Sequence, residues 1–244
     1  FGLVWDGTGL GEDGTIWGRG VSDGRLPHRR RVGSIRPVAL RGAMCAPRRS
    51  AASPFPWPPM RCPDSAPDFP RRAGVAALLG STLPIPRSSG MGRLFDGVYA
   101  LLTGRLSADY DGQAPALLEA LAEGAEPADV YIPTFYEENG VRFFDTRPLI
   151  RALCAAKTAG TDPAALAAGF QQALCRMALD QCLALNQDKL PVVLSGGVFL
   201  NRALLEGVTT LLEGAGYRVY PHQRVSPSDE GMALGQLAIA AAGL

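Results

Sequence analysis

The chain has 244 residues, 47% of them hydrophobic and 19% charged, which allows a sizeable core and excludes disorder throughout. Twenty-four basic residues against 23 acidic ones leave a formal net charge of +1, so the general positive excess of a nucleic-acid binder is missing. Five scattered cysteines without a C-x-x-C pair argue against a zinc knuckle or a redox dithiol and for a reducing, cytoplasmic setting; no apolar run reaches the ~18 residues of a membrane span, and no signal-peptide pattern opens the chain.

The first predicted element is an apolar strand, Phe1 to Trp5, that ends in Asp6-Gly7-Thr8-Gly9; because the chain begins inside it, a preceding segment is expected. Gly9-Leu-Gly11-Glu-Asp-Gly14 satisfies G-x-G-x-x-G in form only, since Thr15-Ile16-Trp17 has the pattern of a returning strand and not of a helix. Such a turn is either a plain hairpin or a phosphate-wrapping turn of the kind found in actin-like and sugar-kinase-like ATPases, with Asp6 holding a metal or water. From Arg19 to Pro86 the composition shifts to Pro, Arg, Ser and Ala, with periodicity only around Arg31 to Pro37. The proline-dense stretch Arg48 to Pro70 is expected to be loop, and the basic run His28 to Arg31, without interleaved aromatics, a solvated loop and not a nucleic-acid patch.

Leu94, Phe95, Val98, Leu101 and Leu102 recur at helical spacing behind Ser88 and Ser89, either of which suits a cap. Asp96 falls at the edge of that apolar stripe, as a ribose-binding carboxylate or as an ordinary solvated one. Tyr110-Asp-Gly112-Gln is a turn before a second helix, Ala114 to Ala122, and Val130 to Phe144 is a hairpin around Asn139-Gly140. Helices are predicted over Asp145 to Ala156 and Pro163 to Leu185, the latter burying Phe170, Leu174, Met177 and Cys182. Neither Cys175 nor Cys182 has a histidine nearby in sequence to make it a nucleophile, and His28 and His222 supply no triad.

From Pro191 the chain closes with two β-α units. Val192 to Leu194 form a strand, Ser195-Gly196-Gly197 a turn, and a helix follows Asn201; Tyr217 to Tyr220 form another strand, and Ser226-Pro-Ser-Asp229 opens a last helix to Leu244. Adjacent glycines ahead of a helix start admit a phosphate or nucleotide, or simply make a tight connection. Asp229 stands where a helix cap belongs.

Several spaced motifs in one order carry a resemblance: Val4-Trp-Asp-Gly-Thr-Gly-Leu-Gly-Glu-Asp-Gly-Thr-Ile-Trp-Gly18, Arg31-Val-Gly-Ser-Ile-Arg-Pro37, Met91-Gly-Arg-Leu-Phe-Asp96, Tyr110-Asp-Gly-Gln-Ala114, Leu194-Ser-Gly-Gly-Val-Phe-Leu-Asn201 and Ser228-Asp-Glu-Gly-Met-Ala-Leu-Gly-Gln236. Together they resemble the HypF family, carbamoyltransferases of NiFe-hydrogenase maturation. The resemblance implies an α/β, actin-like (TsaD-like) two-lobed fold whose first lobe is incomplete. Residues 1–40 would be a first-lobe hairpin and strand, 41–87 an irregular Pro/Arg-rich segment, 88–190 a helical region at the nucleotide cleft, and 191–244 a β-α-β-α nucleotide and metal unit.

It further implies the chemistry. Carbamoyl phosphate and ATP yield carbamoyl-adenylate in an upstream domain, and this part passes the carbamoyl group to the C-terminal cysteine of HypE. By that likeness Asp96, Gly112 and Asn201 contact the adenosine portion beside Gly196-Gly197, while Gly7, Thr8 and Gly9 lie at the carbamoyl-phosphate end. Asp6 and Asp229 are then the catalytic carboxylates and ligands of a divalent metal, iron or zinc. The family's histidine-rich segment and upstream domains are not in this chain, so half of the implied metal site is missing. Two local frame errors would account for the composition of residues 19–30 and 41–73. Two other readings stay open: a nucleotide-binding remnant that transfers nothing, and an O-carbamoyltransferase of small-molecule hydroxyls.

Overall fold

The computed structural model describes residues 1–25, 28–39, 86–106 and 108–243. Nine strands and six α-helices appear among them: β1 (Gly2–Trp5), β2 (Arg19–Arg25), β3 (His28–Ile35), β4 (Val38–Ala39), β5 (Arg87–Ser88), α1 (Met91–Thr103), α2 (Gln113–Ala122), β6 (Phe135–Glu138), β7 (Val141–Phe144), α3 (Thr146–Thr158), α4 (Pro163–Leu185), β8 (Val192–Ser195), α5 (Arg202–Gly214), β9 (Val219–Tyr220) and α6 (Met232–Ala242). The fold is mixed α/β. Seven strands make one sheet in the order β6-β7-β3-β2-β1-β8-β9, and β4 pairs with β5 apart from it.

The centre of the sheet follows from its apolar strands. β1 runs antiparallel to β2 and parallel to β8, with Val4 opposite Ser195, and β8 runs parallel to β9. Leu3, Trp5, Val192 and Leu194 point to one face and are buried, while Val193 on the other face is 44% exposed. Helix α4 covers the buried face: Leu166, Phe170, Leu174, Met177 and Cys182 are fully inaccessible, as the apolar period predicts. Close approach is possible because β3 carries Gly33, whose absent Cβ would stand 2.9 Å from Leu185 Cδ1, and Gln181 donates 3.0 Å to the buried Ser34 carbonyl. Asn139 (φ 52°) and Gly140 (φ 73°) make the two-residue turn expected between β6 and β7.

Three local expectations are corrected. Thr15 to Trp17 is not the returning strand: Ile16 forms only isolated bridges, to Leu10 and Ser88, and the return is β2, beginning at Arg19. The run from Arg19 and the basic run at His28, expected to be irregular, are the paired strands β2 and β3, with Asp23 opposite Arg30 and Ser22 opposite Arg31. Composition suggests loop there, but antiparallel pairing satisfies the backbone whatever the side chains are, and Val21 and Val32 anchor the pair in the core. Ser88 and Ser89 do not cap α1, whose N-cap is Gly90; both serines are buried, and Ser89 Oγ donates 3.0 Å to the Trp17 carbonyl. The proline-dense stretch Arg48 to Pro70 lies outside the described residues. No helix among those described is long and apolar enough to cross a membrane.

Candidate active site

Parallel neighbours end at the same sheet edge. Pairing β1 with β8 therefore brings the turn after Trp5 beside the turn after Ser195, and ligands in α/β sheets bind beyond such carboxyl ends. Backbone packing that only glycine permits fixes both turns. Gly196 has φ 99°, and a Cβ there would overlap the Trp5 backbone, so the turn is seated directly on β1. Trp5 in turn stacks on Phe199, ring centroids 5.1 Å apart. The Asp6-Gly7 turn is flanked by Gly18, Gly90 and Gly92, none of which has room for a side chain without moving its backbone. Asp6 N–H donates 3.0 Å to Gly18 O, and Gly92 N–H donates 3.3 Å to Asp6 O.

Above these turns lies a cleft of about 520 Å³. Asp6, Gly7 and Thr8 line one side, Asp96 of α1 and Gly112 at the start of α2 another, and Gly197, Asn201 and Asp229 complete it. The two expected glycines that do not line it have other places: Gly196 is buried beneath, and Gly9 faces an adjoining trough. Asp6 Oδ1 accepts 2.7 Å from Gly7 N–H and would stand 3.6 Å from a Cβ added to Gly197. Ser228 Cβ would be 3.9 Å from the same point, and Gly196 N–H donates 2.9 Å to Pro227 O, so the loop carrying Asp229 is tied to the glycine turn.

Asn201 is 7% exposed and is the N-cap of α5, its Oδ1 accepting 2.9 Å from Leu204 N–H. That bond fixes the amide orientation and leaves Nδ2 buried without a partner among the described residues, a donor on the cleft wall. Asp96 pairs with Arg93 at 2.9 Å. Burial nevertheless raises its carboxyl above the ordinary aspartate range; Arg93 opposes the shift and Asp111 adds to it. Gly112 has φ 86° and opens α2, so the positive end of that helix meets the cleft. Asp229 caps nothing: the turn Asp229–Gly231 has Ser228 as its N-cap and α6 has Gly231, neither with a side-chain cap bond.

Reasoning from sequence missed Arg93, Asp111 and the glycines at 18, 90 and 92. Arg93 stands three residues before Asp96, the spacing of a helical ion pair, and was available as a signal. The glycines serve a tertiary contact that no local pattern reveals. The divalent metal finds no donor set: among the described residues no three His, Cys, Asp or Glu side chains come together, and Asp6 with Asp229 are fewer than the three or four protein ligands of an ordinary site. Burial pushes both Cys175 and Cys182 up to about 12, which disfavours the thiolate a nucleophile needs.

The family model described as "Carbamoyltransferase, Kae1-like Domain, second subdomain" matches residues 2–236. The chain belongs to the HypF carbamoyltransferase family. It is 32% identical over 274 residues to carbamoyltransferase HypF2 of Cupriavidus necator, covering 98% of this chain and 33% of that protein. A HypF of Rhizobium leguminosarum bv. viciae is 32% identical over 258 residues, with 98% and 32% covered. Among solved structures, full-length HypF in a phosphate- and nucleotide-bound form superposes with a TM-score of 0.84 at 26% identity, over 98% of this chain and 32% of that one. The chain thus spans about a third of the length of the HypF proteins it matches.

Proposed function

We propose that this chain binds an adenosine nucleotide in the cleft and passes the carbamoyl group of carbamoyl-adenylate to a thiol, the acceptor implied by the family being the C-terminal cysteine of HypE. The observation that carries the reading is the meeting of Asp6, Asp96, Asn201 and Asp229 in one cleft, from four distant parts of the chain. A solved HypF structure in a phosphate- and nucleotide-bound form supports nucleotide binding in this family.

Each side chain has work that its surroundings suit. Asp96 accepts from ribose hydroxyls, and Asn201 Nδ2, with its own oxygen already engaged, donates to the adenosine portion. The α2 N-terminus at Gly112 favours negative charge. In the transfer the thiolate sulphur attacks the carbamoyl carbon, the bond from that carbon to the phosphate oxygen of the adenylate breaks, and AMP leaves with the electron pair. Asp6, held by the Gly7 amide, takes up the thiol proton as the sulphur approaches. No step is routed through a metal, for which the described donors are too few.

Titration of the purified chain with ATP and with a carbamoyl-adenylate analogue, followed by an assay of thiocarbamate on HypE, tests the reading. Binding with transfer is expected. Binding without transfer marks a nucleotide-binding module, and transfer to a sugar or antibiotic hydroxyl in place of the thiol marks an O-carbamoyltransferase.

A further inference from the structure

Among the described residues that line the cleft, Arg93 is the only basic one, against five carboxylates, Asp6, Asp96, Asp111, Glu119 and Asp229. Its place in the helix runs against local rules. Met91 opens α1, so Arg93 lies in the first turn, where the positive end of the helix disfavours a cation, and it precedes Asp96, the weaker order for a helical ion pair. The two side chains are also part-exposed, 23% and 20%, a setting in which an ion pair adds about 1 kcal/mol or less to stability. The fold alone gives little reason for an arginine there.

The cleft gives one. Gly92 seats the first turn of α1 on the Asp6 turn, its absent Cβ only 2.9 Å from Gly7 Cα, so the backbone beneath Arg93 is fixed. From that base one guanidinium nitrogen donates 2.9 Å to Asp96 Oδ2, and the other stands 3.9 Å from Asp111 Oδ1. Burial raises the Asp96 carboxyl above the ordinary aspartate range and Asp111 adds to the rise, while Arg93 is the charge that opposes both. Asp6 from the turn after β1, Glu119 from α2 and Asp229 from the last loop face the same cavity and bring only further carboxylates. A protonated Asp96 has lost its charge and part of its accepting capacity, and is a poor partner for a ribose hydroxyl. The charge of Arg93 thus bears on binding more than on folding.

We propose that Arg93 is a positioning residue for the nucleotide: it holds the Asp96 carboxylate ionised, engages Oδ2 and leaves Oδ1 to the ribose hydroxyls. The inference rests on the reading of Asp96 as the ribose acceptor and adds the residue that keeps this acceptor competent.

Calorimetric titration of the purified chain with AMP and with 2′,3′-dideoxy-AMP, from acidic to neutral pH, tests it. The unaltered chain is expected to prefer AMP and to lose that preference on acidification, as Asp96 takes up its proton. In Arg93→Gln the midpoint of the loss moves up by about one pH unit, the lower end of what a neighbouring arginine does to an aspartate; AMP then binds about tenfold more weakly below both midpoints and equally well above them. Arg93→Lys, which keeps the charge, keeps the midpoint. Both variants are expected to unfold close to the unaltered chain, because the pair contributes little to stability. A midpoint in Arg93→Gln equal to that of the unaltered chain overturns the proposal, as does a pH-independent loss shared by AMP and the dideoxy form, which would put Arg93 on the phosphate. If the unaltered chain binds the two nucleotides equally, the ribose reading fails by itself. Carbon-13 NMR titration of the Asp96 carboxyl without ligand then decides whether Arg93 holds it ionised, a higher midpoint in Arg93→Gln sustaining this and an unchanged one refuting it.

Discussion

Helices α5 and α6 close successive β-α units, yet they stand in opposite situations. α5 starts at a capping Asn201, buries Leu204, Val208 and Leu212, and presses Gly207 against Cys175 of α4. α6 has no capping side chain and no buried residue, and Met232, Leu234 and Leu237 are each more than half exposed. The difference lies in patterning: α5 alternates apolar and polar positions so that one stripe meets the sheet, whereas Met232 to Ala242 carries no charge and no preferred face. One wall of the cleft, at Asn201, is therefore anchored through a packed helix. The Asp229 wall is anchored by its loop, through the Gly196 N–H to Pro227 O bond and through His222 Nε2, 3.0 Å from Ser195 Oγ.

Substitutions sharpen that contrast. The largest effect is expected at the seat shared by both walls: Gly196→Ala adds an atom that overlaps Trp5 and imposes a positive φ on alanine, for a loss of about 4 kcal/mol by denaturant unfolding. Leu212→Ala in α5 is expected to cost about 3 kcal/mol, and Leu237→Ala in α6 less than about 0.5 kcal/mol. Equal losses from that pair would erase the distinction between the two helices. Asn201→Ala removes the cap at about 1 kcal/mol and also weakens nucleotide binding, whereas Asn201→Asp keeps the cap, replaces the donor with a negative charge and weakens nucleotide binding further.

The smallest effect is a pH dependence at Asp96. Its carboxyl titrates above the unfolded value, so the native state binds more protons between the two values; stability is highest below them and falls as pH rises through the folded one. Nucleotide affinity runs the other way, because the ribose needs the ionised acceptor, and is lost on acidification at a higher pH than an ordinary aspartate would give. Asp96→Asn is expected to flatten the stability slope and to abolish that binding transition. An unchanged affinity profile in this variant would remove Asp96 from the site.

The same contrast shows what the sequence made legible. The β8-turn-α5 unit was readable because each of its steps is local: an apolar run, a glycine pair, a cap and an amphipathic period. Asp6, Asp96, Asn201 and Asp229 could be named from motifs. Their meeting depends on the parallel pairing of β1 with β8, residues far apart in the chain, and no local rule supplies that. β2 and the start of β3 carry no apolar alternation, and β2 holds the poor strand formers Gly20, Asp23 and Gly24, so only the partner strands make them strands. The place of Gly90 and Gly92 under the Asp6 turn was hidden for the same reason.

The stack of Trp5 on Phe199 gives the molecule an optical reporter. An indole sealed beneath the turn that forms the cleft floor emits in an apolar surrounding, and Phe199 belongs to the short Gly197–Leu200 segment leading to Asn201. Any occupant that draws this segment toward it changes the ring overlap, so seating of a nucleotide should register as a change in intrinsic fluorescence without a label.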